Sequence, residues 1–112
     1  MENSMLLMTT TLPQGYKIGK IFGLVTGVTS RTRGIGGNIL ASLQSIGGGE
    51  VTAYTSEIEK ARFEAIERMK AKAKSIGANC VVGIDIETTD ILSTVVIVSA
   101  TGTAMIVEKT DG

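Results

Sequence analysis

The feature that most restricts this chain is a change of hydrophobic period at Gly77. Upstream, Ile58, Ala61, Ala65, Met69, Ala73 and Ile76 recur every three or four residues, with Ile66 widening the row, which is the spacing of one buried helix face. Downstream the period is two: Cys80, Val82, Ile84 and Ile86 face one way, and Val81, Gly83, Asp85 and Glu87 the other. Ser56 and Glu59 have the spacing of a capping box and place the helix start at Ser56. Glu57 and Glu59 near the positive end and Lys70, Lys72 and Lys74 near the negative end favour the macrodipole, and Gly77 supplies the left-handed stop. A helix that must bury one stripe and runs directly into a strand predicts a helix lying on a sheet.

The remaining segments supply the rest of that sheet. Tyr16 to Val28 mixes β-branched and aromatic residues with glycines at 15, 19, 23 and 27, a spacing that reads as a strand interrupted by a bulge, entered through the turn Pro13-Gln14-Gly15. Ser30 to Gly37 reads as a loop, and Asn38 caps a short helix over Ile39 to Ile46 that ends at Gly47-Gly48-Gly49. A short strand is expected at Val51 to Tyr54, with Tyr54 as a core or interface anchor. After a connection from Thr88 to Ser93, the run Thr94 to Val98, continued by Ala100, Gly102, Ala104, Ile106 and Val107, reads as a strand buried on both faces. The 112 residues fit one domain, spanning 1–112, with a core large enough to need no disulfide or structural metal.

Several function classes fall to composition. Eleven basic and eleven acidic side chains cancel, so neither nucleic acid nor an acidic membrane is an expected partner. The charge is nonetheless uneven, with four basic against one acidic side chain through residue 49 and seven against ten beyond it. With no His and one Cys, the chain lacks a transition-metal ligand set of its own and any Ser-His or Cys-His nucleophilic pair. The apolar stretch Met5 to Met8 is too short for a signal peptide, no run approaches a membrane span, and a lone Cys80 suits a reducing compartment, so the expected setting is the cytoplasm.

A sheet covered by one long and one short helix has one face that its own chain leaves bare. Val95 to Val98 offers apolar side chains to both faces, and the mean hydropathy of +0.26 leaves few polar residues to coat an edge. Another copy is the expected cover, giving a homo-oligomer; the alternative is a monomer whose N-terminal strand doubles back over the sheet.

Three constellations could carry chemistry. Arg31, Arg33, Gly34, Gly36 and Gly37 precede a predicted helix N-terminus and form a candidate anion or phosphate site in the segment 30–38, although no Lys-Ser or Lys-Thr follows as in a P-loop. Asp85, Glu87 and Asp90 are candidate oxygen ligands for a hard cation, without EF-hand spacing. Carboxylates such as Glu50 and Asp85 leave room for a cryptic acid–base enzyme, though the residues point more to a non-enzyme. Glu64 and Arg68 have ion-pair spacing on the long helix, and Cys80 reads as a packed small hydrophobe.

The run Gly48-Gly49-Glu50, Ala53-Tyr54-Thr55, Ala61-Arg62, Glu64-Ala65, Arg68-Met69, then Gly77-Ala78-Asn79-Cys80-Val81-Val82-Gly83-Ile84-Asp85 and Gly102-Thr103-Ala104, closely resembles the YbjQ family, which carries a heavy-metal-binding label and no assigned function. The resemblance spans nearly the whole chain. It implies an α+β fold, a two-layer β/α sandwich related to the dodecin-like fold, with one long helix on a small mainly antiparallel sheet, assembled as a ring-shaped homopentamer. Position 80 is Cys where the family pattern commonly has Ala, so the thiol adds nothing to the metal label, and flavin binding does not carry over because the stacking Trp of dodecins is absent. The resulting expectation is a small cytoplasmic oligomer that binds a metal ion or small ligand at subunit boundaries; no flavin or nucleotide cofactor is supported.

Overall fold

A computed structural model describes residues 5–32, 49–91 and 95–110. The elements are β1 (Leu6–Leu7), β2 (Tyr16–Thr32), α1 (Gly49–Ser75), β3 (Cys80–Ile91) and β4 (Val95–Lys109). They form one layer of helix on one four-stranded sheet of order β1-β3-β4-β2, in which only β1–β3 is parallel. The α+β architecture with one long helix on a mainly antiparallel sheet is therefore observed. The expected short helix at 39–46 and the glycines of 34–37 lie outside the described residues.

The helix buries the predicted stripe: Ala61, Ala65, Met69 and Ala73 are fully buried against Val25, Val81, Val96, Val98, Ala100 and Ala104. Ile76 departs from it, being 46% exposed beyond the last turn. Small residues bring helix and sheet unusually close. A Cβ placed on Gly27 would lie 2.3 Å from both the Ala65 carbonyl oxygen and the Met69 amide nitrogen. The helix closes as predicted at Gly77, whose φ is 96°. Gly77 N–H bonds to Lys74 O at 3.0 Å and Ala78 N–H to Ala73 O at 3.0 Å, which together form a Schellman closure.

The start of the helix is a correction. It begins at Gly49, one and a half to two turns before Ser56, and the strand expected at Val51 to Tyr54 is helical. Adding residues to a formed helix requires no new nucleus, so the segment from Gly49 follows the strongly patterned one behind it despite its β-branched Val51, Thr52 and Thr55. Ser56 is thereby a helix-interior residue.

Two further corrections concern strands. Ser30, Arg31 and Thr32 pair with Ile97, Val96 and Val95, so β2 continues through the expected loop start as far as the described residues reach. In β3 the predicted alternation reverses midway. Val81 and Ile84 pack toward the helix while Cys80 and Val82 pack on the opposite, far face, because the register breaks between Val82 and Asp85 around Gly83, whose φ is 64°. β3 also runs on to Ile91, into the connection expected from Thr88 to Ser93.

β2 shows what bulges do to a period-two pattern. Register shifts between Ile18 and Lys20 and between Ile21 and Gly23 confirm the irregularity expected of this strand. They put Ile18, Ile21 and Leu24, spaced by three, opposite Val107, Met105 and Thr103 on one face, where Val28 joins them opposite Ser99. Among the described residues, that far face is covered at one end only. Leu6, Leu12 and Tyr16 pack over Cys80, Met105 and Val107, so the N-terminal segment does return across part of the sheet. β4 is accordingly buried on its helix side, whereas Val95, Ile97, Ser99, Thr101 and Thr103 on the far side are half-buried rather than enclosed.

Candidate functional site

Polar side chains converge where α1 crosses the outer part of β2. Period two places Val25, Gly27, Thr29 and Arg31 on the helix side of β2, and the helix presents Glu57, Glu64 and Arg68 at spacings of seven and four to meet them. Thr29, only 2% exposed, donates its hydroxyl hydrogen to Glu64 Oε1. Arg31 Nη1 donates to Glu57 Oε1 at 3.2 Å, and Arg31 Nη2 lies 3.9 Å from Glu64 Oε1. Arg68 Nη2 lies 3.9 Å from Glu64 Oε2, the predicted i,i+4 pair, while its Nη1 donates to the Val28 carbonyl at 2.7 Å. Lys60 adds a second cation 3.6 Å from Glu57.

Glu64 is the hub of this cluster. The Thr29 hydroxyl bond, aided by Arg68 and Arg31, holds its carboxyl below the ordinary carboxylate range against an opposing desolvation effect. It is an ionised anchor and not a proton donor near neutral pH. Arg31 is equally committed: its terminal nitrogens serve two carboxylates, and its buried Nε has no partner among the described residues. An open groove of about 460 Å³ runs beside Arg31, Lys60, Phe63 and Glu64, with Phe63 65% exposed.

The candidate anion residues are thus not a single loop in this structure. Arg31 belongs to strand β2 and is ion-paired to the helix, while Arg33, Gly34, Gly36 and Gly37 lie outside the described residues. The candidate cation ligands are divided by the pleat. Asp85 and Glu87 stand on the far face, opposite Thr101 and Ser99, whereas Asp90 stands opposite buried Val96 on the helix side. Among the described residues no three His, Cys, Asp or Glu side chains group as a metal site. Glu50 is in the first turn of α1.

Thr29, the group with the largest effect on Glu64, is not among the candidates named from the sequence. Its signal was present in the alternation Val25, Gly27, Thr29, which makes it the polar member of a buried row. Cys80 is fully buried, and burial pushes its thiol pKa up, so it is a packed side chain as expected and a poor thiolate ligand. Asn79 does work that its position in a family-like block did not disclose. Its side-chain amide donates to Val107 O at 3.0 Å and accepts from Val107 N–H at 2.9 Å, standing in for a strand residue beside β4. No helix among the described residues is long and apolar enough to cross a membrane.

Residues 5–108 match the model of the YbjQ family, described as "Putative heavy-metal-binding". A UPF0145 protein of Sulfurisphaera tokodaii is 41% identical over 108 residues, covering 96% of this chain and 95% of the relative. UPF0145 proteins of Saccharolobus solfataricus and of a Bradyrhizobium species are each 43% identical over 108 residues; each alignment spans 96% of this chain, and 95% and 97% of the respective relative. A solved structure, a protein of unknown function of the DUF74 family from Pediococcus pentosaceus, is similar with a TM-score of 0.61 over 93% of this chain and 98% of that one, at 16% identity, a likeness of fold. Set against the family description, one chain offers no imidazole or ready thiolate to a soft heavy metal: His is absent, the single thiol is buried and protonated, and the two same-face carboxylates are hard ligands. With fold and near full-length similarity in agreement, this chain belongs to the YbjQ family.

Proposed function

We propose that this chain is a self-assembling, non-enzymatic binding protein whose copies meet along the far side of β2 and hold a small ligand or metal ion where they meet. One observation carries this reading. Ile18, Ile21, Leu24 and Val28 are 49%, 58%, 75% and 46% exposed, in one row on a 17-residue strand at the edge of the sheet. Monomers rarely leave a long, greasy edge strand uncovered, and a second copy is the partner always present at matching concentration. β2 carries only basic charges (Lys17, Lys20 and Arg31) and β3 only acidic ones (Asp85, Glu87 and Asp90), at opposite sides of β4, a polarity that suits head-to-tail contact between copies.

The finer features belong to the same proposal: a dodecin-like subunit, a closed ring of five and a cytoplasmic setting, with neither nucleic acid nor membrane as partner. For a bound ion, Asp85 and Glu87 of neighbouring copies would supply oxygen ligands, which favours a hard cation such as Ca²⁺ or Mg²⁺ over a soft one. Native mass spectrometry of the untagged protein tests the whole reading in one spectrum. A discrete oligomer is expected, and a folded single subunit at micromolar concentration overturns it. Elemental analysis after dialysis tests the ion: stoichiometric metal that falls in Asp85→Asn/Glu87→Gln supports it, and metal-free native protein removes it.

A further inference from the structure

Among the described residues β2 is the last strand of the sheet, so alternate backbone groups along it point away from β4. Val28 is one of these. Its carbonyl is turned outward and is taken by Arg68, whose Nη1 donates to it at 2.7 Å from the exposed flank of α1. The guanidinium is steered there by Glu64, 3.9 Å from its Nη2, and Glu64 is in turn fixed by the buried Thr29 hydroxyl. Leu24, Thr26 and Ser30 have the same parity as Val28 and share its outward backbone direction, while their side chains lie on the far face with the apolar row. An incoming strand that zipped along this edge would need the Val28 carbonyl as an acceptor and would meet Arg68 standing over it.

We propose that Arg68 guards the edge of β2, interrupting strand addition at Val28 so that association along this strand stays finite instead of growing into open-ended sheets. This deepens the assembly reading and rests on β2 being the meeting surface. An edge strand of this length and hydrophobicity is the kind that soluble proteins blunt with an inserted charge. Here the charge comes from the helix and not from the strand itself. That arrangement leaves the apolar row Ile18, Ile21, Leu24 open for a partner while closing the ladder beyond it.

The test compares full-length wild type with Arg68→Met, which keeps the aliphatic stem and helix propensity, and with Lys74→Met, which removes the same charge from an exposed position of the same helix. Light scattering and sedimentation velocity are followed over days, with circular dichroism to monitor folding. Arg68→Met is expected to grow several-fold in mass-average size and to bind thioflavin T, while Lys74→Met matches wild type. Adding Thr26→Pro, which removes an outward N–H donor from the same edge, should return Arg68→Met to a finite size. Growth that persists with Thr26→Pro would come from unfolding and would overturn the guard, as would an Arg68→Met protein with the wild-type distribution. A wild type that sediments as a single subunit would defeat the assembly reading separately, since the guard is read from the difference between variants.

Discussion

The two faces of the sheet are built on opposite terms. On the helix side, Ala61, Ala65, Met69 and Ala73 meet Gly27, Ala100 and Ala104 so closely that helix and strand backbones nearly touch, and the side chains on both sides are excluded from water. On the far side, the described residues cover only the end near Cys80, Met105 and Val107, and the β2 row is exposed. The difference separates two tasks. The helix face holds the chain together by close contact, whereas the far face can change residue by residue with little effect on the fold, which suits the association proposed for it.

The contrast breaks first at Gly27. Alanine there pushes a Cβ to within 2.3 Å of the helix backbone, which cannot rotate away, and the expected loss is about 3 kcal/mol or outright failure to fold, read from urea denaturation. A Gly27→Ala protein of wild-type stability would show that the two layers are free to separate. Asn79→Ala comes next, since it removes both bonds to Val107; a loss of about 2 kcal/mol in the same assay is expected at ordinary hydrogen-bond values.

Acid sharpens the comparison at the helix side. Glu64 is held below its ordinary pKa in the folded state, so its contribution to stability is present at pH values above the unfolded carboxylate pKa and is lost as pH falls through the folded one. Thr29→Val removes the largest cause of that depression, and its melting temperature should therefore depend less steeply on pH in the acid range than that of wild type. Equal slopes would mean that the hydroxyl bond does not set the Glu64 pKa. The smallest effect on the fold is expected at Leu24→Gln on the far face, within about 0.5 kcal/mol of wild type under conditions where copies are dissociated. The same variant should nonetheless shift the mass distribution toward smaller species, and an unchanged distribution would move the meeting surface elsewhere.

Much of the candidate site was visible in the sequence as separate pieces. Glu64 and Arg68 were legible as a pair because helical spacing is a local property. What joins that pair to Thr29, Arg31 and Glu57 is the pairing of a strand with a helix 26 to 40 residues away, which no local pattern encodes. The Gly77-Ala78-Asn79 block illustrates the reverse case: it identified the family, and its visible work is architectural, closing the helix and bridging to β4.

What the chain determined by itself was the content of its elements. The 3.6 period up to Ala73, the stop at Gly77 and the β-branched run of β4 follow from side-chain stereochemistry and backbone freedom at single positions, and each appears where it was read. Tertiary structure decided which way those elements face. The breaks around Gly83, and near Gly19 and Phe22, each reverse an alternation, so Val82 and Ile84 part company while Ile18, Ile21 and Leu24 come together. A bulge shifts every later side chain by one face, and whether it forms depends on the partner strand against which it is drawn. The exposed row on β2, on which the proposed assembly rests, is a product of that pairing.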